Sequence, residues 1–534
     1  MMLIVQDITY VHPNKDLLFD RINLTVNKRD KIALIGNNGI GKSTLLKIIA
    51  GILPPSSGVL HCESKSYYMP QIFGQFNELT VAQAIGVDKK LKALSEIVSG
   101  NVTETNIALL NDDWTIEKRC MEALSCWKLE ELDLNQKMET LSGGQKTKVF
   151  LAGISISQPE MVLLDEPSNH LDMDGRTLLY DFIQSYKYAM IVVSHDRKLL
   201  NLLDSVCELN NKGITVYGGN YDFYAEQKQI EKIALENDLR SKEKALRKAK
   251  ETERDTLERQ QRRNARGNRQ QRKEGTPKIM INKLKNDAER SSARLKNVHA
   301  EKTEAIAREL TALRRDLPDV DGMKFGFDNS SLHLGKTLIK AENLNFGYSD
   351  KMLWRQALTF DIKSGERLTL RGANGSGKTT LIKIILGILQ PTEGTVFRAE
   401  NTAIYIDQDY SLIDNRLTVY EQAQMFNASS LQEHEIKIRL NRFLFAKDEW
   451  DKSCNSLSGG EKMRLMLCCL TISNHAPDII ILDEPTNNLD IRNIEVLTDA
   501  INEYRGTLIV VSHDIYFLEQ INAESFGIEL LPSI

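Results

Sequence analysis

Two nine-residue stretches set the chemistry. GNNGIGKST holds Gly36, Asn37, Asn38, Gly39, Ile40, Gly41, Lys42, Ser43 and Thr44. GANGSGKTT holds Gly372, Ala373, Asn374, Gly375, Ser376, Gly377, Lys378, Thr379 and Thr380. A strand feeding a glycine-rich turn, followed by a helix, aims backbone N–H groups and the helix N-terminus at one point. Such a turn cradles phosphates, with Lys42 or Lys378 reaching the outer phosphates and Ser43 or Thr379 holding magnesium. Downstream, MVLLDEP and IIILDEP end apolar strands on Asp165–Glu166 and Asp483–Glu484. There Asp165 or Asp483 can orient the magnesium shell, and Glu166 or Glu484 can polarise an attacking water. IVVSHD occurs twice and closes a further apolar strand on His195 and His513, which are read as functional because the setting repeats.

These residues need elements to hold them, and the elements come in duplicate. Gly36 and Gly372 are offset by 336 residues, and YYMPQ and IYIDQ end on Gln71 and Gln408 at an offset of 337. The LSGG tracts at Leu141 and Leu457 are offset by only 316, and Asp165/Asp483 and His195/His513 by 318. The chain therefore reads as a tandem duplication. The drop of 21 predicts that many extra residues in copy one, between about Val87 and Thr115. Short apolar strands alternate with helical patterns, so each copy is expected to be α/β with a buried parallel sheet. The expected domains are 1–224, 225–335 and 336–534.

Composition adds exclusions. With 534 residues, 41% hydrophobic and 27% charged, the chain is ordinary soluble protein with room for several domains. No apolar run approaches the roughly 18 residues of a membrane span. The start, MMLIVQDITYVHPNKD, lacks the basic flank of a secretory signal. Seven scattered cysteines without a CxxC pair fit reduced thiols in a cytosol better than disulfides, zinc or an iron–sulfur cluster. Adjacent Cys468 and Cys469 are expected to fill a helix–core contact.

The order of motifs (Walker A, glutamine loop, LSGG signature, Walker B with a following Glu, switch His) resembles an ATP-binding cassette ATPase twice over. The resemblance implies two tandem P-loop cassettes in a head-to-tail sandwich, each Walker A facing the signature of the other copy with ATP between. Site one would combine the loop from Gly36 with Gln71, Asp165, Glu166, His195 and, from copy two, Ser458, Gly459, Gly460 and Glu461. Site two would combine the loop from Gly372 with Gln408, Asp483, Glu484, His513 and, from copy one, Ser142, Gly143, Gly144 and Gln145. Magnesium would be held by Ser43, Gln71 and Asp165, and by Thr379, Gln408 and Asp483. Family members stack an aromatic on adenine ahead of Walker A. Tyr348 fits that place in copy two, where copy one has His12 with Tyr10 nearby.

Between the copies, residues 226–315 carry 26 Lys/Arg against 15 Asp/Glu, while the whole chain has a net charge of −4. Ile281, Leu284, Ala288, Leu295, Val298, Ile306, Leu310 and Leu313 form one helical stripe, and Ile230, Ile233, Leu239, Leu246, Ala249 and Leu257 a thinner one. The centre contains Gly267, Gly275 and Pro277, expected to break the helix. The spacing predicts an antiparallel helical hairpin with a basic tip. Arg262, Arg263, Arg266, Arg269, Arg272, Lys273 and Lys278 are the candidate RNA contacts. No Phe, Tyr or Trp occurs from Ala225 to Lys324, so phosphate charge rather than base stacking is expected. Two cassettes joined by a long basic helical linker resemble the ABC-F family. The resemblance implies a cytoplasmic ATPase that binds the ribosome near the exit-tRNA site and acts toward rRNA and peptidyl-tRNA, as translation factor or antibiotic-resistance factor. It implies a monomer whose cassettes pair within the chain, with no membrane partner, and makes the short insert of copy one an arm-like element. The competing classes are an ATPase subunit of a transporter with a separate permease, a DNA-maintenance ATPase and a non-catalytic scaffold.

Overall fold

Strands form where β-branched and aliphatic residues run without polar interruption, and where they alternate with polar ones. The first copy contributes β1 (Leu3–Val11), β2 (Leu17–Val26), β3 (Lys31–Ile35), β4 (Ser57–Cys62), β5 (Tyr67–Met69), β6 (Met161–Asp165), β7 (Ala189–Val193), β8 (Ser205–Asn210) and β9 (Gly213–Tyr217). β6 and β7 are buried throughout and sit in a six-stranded sheet of order β5-β6-β7-β3-β8-β9, parallel except for the β8–β9 hairpin. β2-β1-β4 form a separate antiparallel sheet whose inward faces join the same core, which contains Leu3, Ile8, Ile22, Leu34, Leu45 and Ile191.

The second copy repeats the plan with β10 (Thr337–Asn345), β11 (Leu358–Lys363), β12 (Arg367–Arg371), β13 (Glu393–Arg398), β14 (Ala403–Ile406), β15 (Ile479–Asp483), β16 (Thr507–Val511) and β17 (Gly527–Glu529). Its parallel sheet runs β14-β15-β16-β12-β17, and β11-β10-β13 form the antiparallel one. Asp165 pairs with Val193 and Asp483 with Val511 at the carboxyl ends of their strands. Ligands of open α/β sheets bind outside that edge.

This computed structural model describes residues 2–273, 293–294, 297–298, 300–311, 313, 335–348, 351–428, 430–473, 476–523 and 527–531. The helices that matter below are α1 (Lys42–Ile49), α2 (Asp88–Val98), α3 (Glu104–Leu110), α4 (Gly143–Ser157), α5 (Met173–Ser185), α6 (Tyr221–Lys273), α7 (Lys378–Ile385), α8 (Gly459–Ile472) and α9 (Ile491–Glu503). Cys468 and Cys469 are fully buried in α8. α2 and α3, in the stretch where extra residues were expected, pack on each other and leave Val98, Val102 and Ile107 exposed.

The chain divides into two compact units, residues 1–222 with 323–534, and residues 223–322. In the second unit, α6 runs unbroken through Gly267, so the expected break at that glycine is absent. One glycine costs a helix only about 1 kcal/mol, and the Arg- and Gln-rich sequence around it favours the helix. Residues 300–311 return as helix, with Leu310 buried and Glu309 paired with Lys242 of α6. Ile230, Ile233 and Val298 are exposed rather than seamed. Gly275, Pro277, Ile281, Leu284, Ala288 and Leu295 lie outside the described residues. Among the described residues, no helix is long and apolar enough to cross a membrane.

Candidate active site

Each phosphate loop wraps the amino end of its helix. Gly41, the residue before α1, has φ +103°, and a Cβ there would come 2.8 Å from Leu18, so a side chain is refused twice. Gly377 repeats this before α7 against Leu353. Lys42 Nζ donates to the carbonyls of Gly36 (2.7 Å) and Asn37 (3.2 Å). Lys378 Nζ donates to those of Gly372 (2.8 Å) and Ala373 (3.1 Å). Burial lowers the pKa of both amines.

The acidic side is built from the strand ends. Ser43 Oγ donates to Asp165 Oδ1 at 3.1 Å, and Thr379 Oγ1 lies 3.5 Å from Asp483 Oδ2. Tyr68 on β5 and Tyr405 on β14 donate to the same carboxylates at 3.2 and 2.8 Å. Neither tyrosine is among the site residues expected from the sequence. The available signal was a tyrosine three residues before the glutamine in both copies. Glu166 and Glu484 take left-handed backbone angles, φ +53° and +49°, with their N–H groups held at 2.8 Å by the carbonyls of Val193 and Val511. That turn aims each side chain at its histidine, with Nε2 of His195 and of His513 both 3.3 Å from a glutamate oxygen. Burial raises the pKa of Glu166 to about 8, against the pull of Lys42, and that of Glu484 to about 7, against Arg176 and Lys378. Burial drives His195 well below the usual range and His513 to about 4, so both rings are neutral at pH 7.

Both buried oxygens of Glu484 and Nε2 of His513 lack a protein hydrogen-bond partner of good geometry, as does Nδ1 of His195. Buried polar atoms are normally satisfied, so these fit a ligand or water. The hydroxyl and carboxylate oxygens of Ser43 with Asp165, and of Thr379 with Asp483, are hard donors of the kind magnesium takes. Around site one a cavity of about 340 Å³ is lined by His12, Gln71, Lys42, Ser43, Glu166 and His195 among others, and also by Asn488 of the other copy.

The copies meet through the turn after Walker B. The Asn38 N–H donates to Asp490 Oδ2 (2.9 Å), and its side chain to the carbonyl of Asn488 (3.0 Å). The Asn374 side chain donates to the carbonyl of His170 (3.1 Å). A Cβ on Gly144 would lie 2.8 Å from that same His170 oxygen and 3.8 Å from Asn374 Nδ2; one on Gly459 would lie 3.7 Å from the Asn488 oxygen. One carbonyl thus stands between the signature of its own copy and the phosphate loop of the other, in both directions.

Ser142 and Ser458 cap α4 and α8, and Gln145 and Glu461 complete the capping boxes. Their side chains are therefore engaged in helix capping, and Glu461 also pairs with Lys452 at 2.7 Å. Ser458 Oγ donates to Glu461 Oε2 at 2.7 Å. Gln408 is exposed after β14. Tyr348 is 72% exposed, its hydroxyl 2.9 Å from Thr380 Oγ1, whereas His12 packs edge-on to Tyr10. Arg262, Arg263 and Arg266 are exposed on α6, Arg269, Arg272 and Lys273 lie on its last turns, and Lys278 lies outside the described residues.

Comparison with known proteins agrees with this architecture. The ABC transporter family model matches residues 19–169 and 356–487. ABC transporter F family member 5 of Arabidopsis thaliana is 30% identical over 93% of this chain and 70% of its own length. The ATP-binding protein Uup of Haemophilus influenzae is 30% identical over 96% of this chain and 76% of its own. Among solved structures, an archaeal ribosome recycling factor in complex with a ribosomal stalk protein superposes with a TM-score of 0.59 at 21% identity, over 96% of this chain and 86% of that one. The RNase-L inhibitor gives 0.59 at 22%, over 97% and 86%. With two cassette matches and relatives that share nearly its whole length, the chain belongs to the ABC-F family of tandem ATP-binding cassette ATPases.

Proposed function

We propose that the two phosphate loops, each completed by the signature of the other cassette, hydrolyse MgATP, and that the resulting closure works the basic linker against ribosomal RNA and tRNA phosphates near the exit-tRNA site. The carrying observation is reciprocal: the carbonyls of Asn488 and His170 link each cassette to the phosphate loop of the other, through Asn38 and Asn374. Ser43, Asp165 and Gln71 would hold magnesium in site one, and Thr379, Asp483 and Gln408 in site two. Bound there, the metal neutralises charge on the phosphates. In their ionised forms Glu166 and Glu484 orient and deprotonate the attacking water, and the neutral His195 and His513 keep them turned toward the outer phosphate. The working divisions are 1–224, 225–335 and 336–534, a monomer with its cassette pair inside one chain.

The ribosome enters through family membership and charge. Glu258 is the last acidic residue before Glu274, and seven basic residues lie between them. A helix that merely stays soluble balances its signs, as α6 does earlier with Arg247–Glu251 and Arg254–Glu258. The solved relative described as a recycling factor is itself seen with a ribosomal stalk protein. The action would be that of a cytoplasmic translation factor or a ribosome-protecting resistance factor. The test is the Glu166→Gln, Glu484→Gln variant with MgATP: turnover falls about 100-fold or more, ATP stays bound, and the protein pellets with ribosomes. Parental turnover would overturn the base assignment; recovery with membranes or DNA instead of ribosomes would overturn the partner.

A further inference from the structure

The repeat is unequal where the cassettes face each other. At the offset of 318 that relates Asp165 to Asp483, Arg176 corresponds to Ile494 and Arg197 to Ile515. Both arginines are buried, at 7% and 8% exposure, and both reach into the second cassette. Arg197 meets Gln520 and Glu495, each at 3.4 Å. Arg176 donates to the Leu171 carbonyl and to Asp196 at 3.3 Å, and the same Nη1 lies 3.5 Å from the carbonyl of His513. Its charge also faces Glu484 and Asp514 across the interface. Its hydrogen bonds go to neither Glu166 nor His195, and Asp196, which follows His195, is held independently by the Tyr180 hydroxyl at 2.7 Å and the Leu199 N–H at 3.2 Å. A guanidinium taken out of water needs charged or polar partners, and Leu171, Asp196 and His513 supply them here. Isoleucine at 494 has no donor to return, so among the described residues that position sends no matching hydrogen bond to the His195 backbone.

We infer that Arg176 is a positioning residue for the second ATP site and not for the first, holding the His513 backbone, and with it the His513–Glu484 pair, from across the cassette interface. The inference rests on Glu166 and Glu484 being the two bases. Displacement of a reacting group by a fraction of an ångström is enough to slow chemistry by an order of magnitude or more. The equal 3.3 Å histidine–glutamate separations are therefore maintained by different means in the two sites.

The test is a rapid-quench single turnover on the full chain with MgATP, counting ADP formed per chain. Glu166→Gln leaves the second site to fire, and Glu484→Gln the first. Adding Arg176→Ile, the residue the second cassette carries, slows the second-site burst about ten-fold and leaves the first-site burst within about two-fold. Arg176→Lys, which keeps the charge and stem, restores part of the second-site rate. Equal slowing of both bursts, as a general loss of fold would give, overturns the inference, and so does no slowing of the second. A burst that persists in the Glu166→Gln, Glu484→Gln chain sinks the base assignment, and this inference with it.

Discussion

A left-handed backbone is rare outside glycine, yet both cassettes adopt it at the same places: Glu166 and Glu484, and four residues on, His170 (φ +64°) and Asn488 (φ +60°). Asparagine and histidine are among the residues that best tolerate this region. The Asn488 that replaces histidine in the second copy therefore keeps the turn and the carbonyl it offers. His170→Asn should leave ATPase activity within about two-fold and thermal stability nearly unchanged, since local substitutions compatible with the backbone cost little. His170→Val, β-branched, should cost about 1–2 kcal/mol and lower turnover, read by thermal unfolding beside phosphate release. Equal behaviour of the two variants would mean that the turn does not hold the site. The phosphate-loop, acidic and histidine residues were legible because their chemistry dictates their type and spacing, and because they recur. The turn residues were not: what matters there is a backbone angle and a carbonyl, and sequence records neither. Tyr68 and Tyr405 lie between these cases, since their repetition was visible but their target was not.

At the scale of elements, the strands and helices of each cassette follow from continuous apolar runs and capping residues, and the duplicated order made them readable. The linker was read less well. Gly267 was expected to break the helix, but the arginines, Ala265 and glutamines around it favour helix and outweigh one glycine. A proline there removes a hydrogen bond as well and costs about 3 kcal/mol. Gly267→Pro should break α6 and reduce ribosome co-sedimentation while leaving ATP turnover of the isolated protein intact; undiminished co-sedimentation would show that the far part of α6 is dispensable. Substituting Arg262, Arg263 and Arg266 together by Gln should weaken ribosome binding and reduce the slope of log affinity against log salt by roughly 2–3. An unchanged slope would remove these arginines from the interface.

At the scale of the molecule, the proposed composite sites would make residues far apart in sequence act on one nucleotide. In a non-hydrolysing chain, each ATP held at 100 times its Kd should stabilise the protein by about 2.7 kcal/mol. A Cβ on Gly459 makes only an ordinary contact with the Asn488 carbonyl, at 3.7 Å, and Gly459→Asp puts negative charge where the second signature would meet phosphate. It should abolish the same share of stabilisation as Lys42→Ala, so that combining the two removes nothing further. Combined with Lys378→Ala it should remove both shares. Thermal shifts against MgATP concentration decide between these patterns, and additivity in the first pair would deny a shared site.

Tyr221, the first residue of α6, is buried, with the Arg197 guanidinium 5.9 Å from its ring. The rod it begins is 53 residues long, about 80 Å at 1.5 Å per residue. Each turn of that rod advances about 5.4 Å, so Arg262 and Arg266, four residues apart, stand on one side of it at a fixed interval.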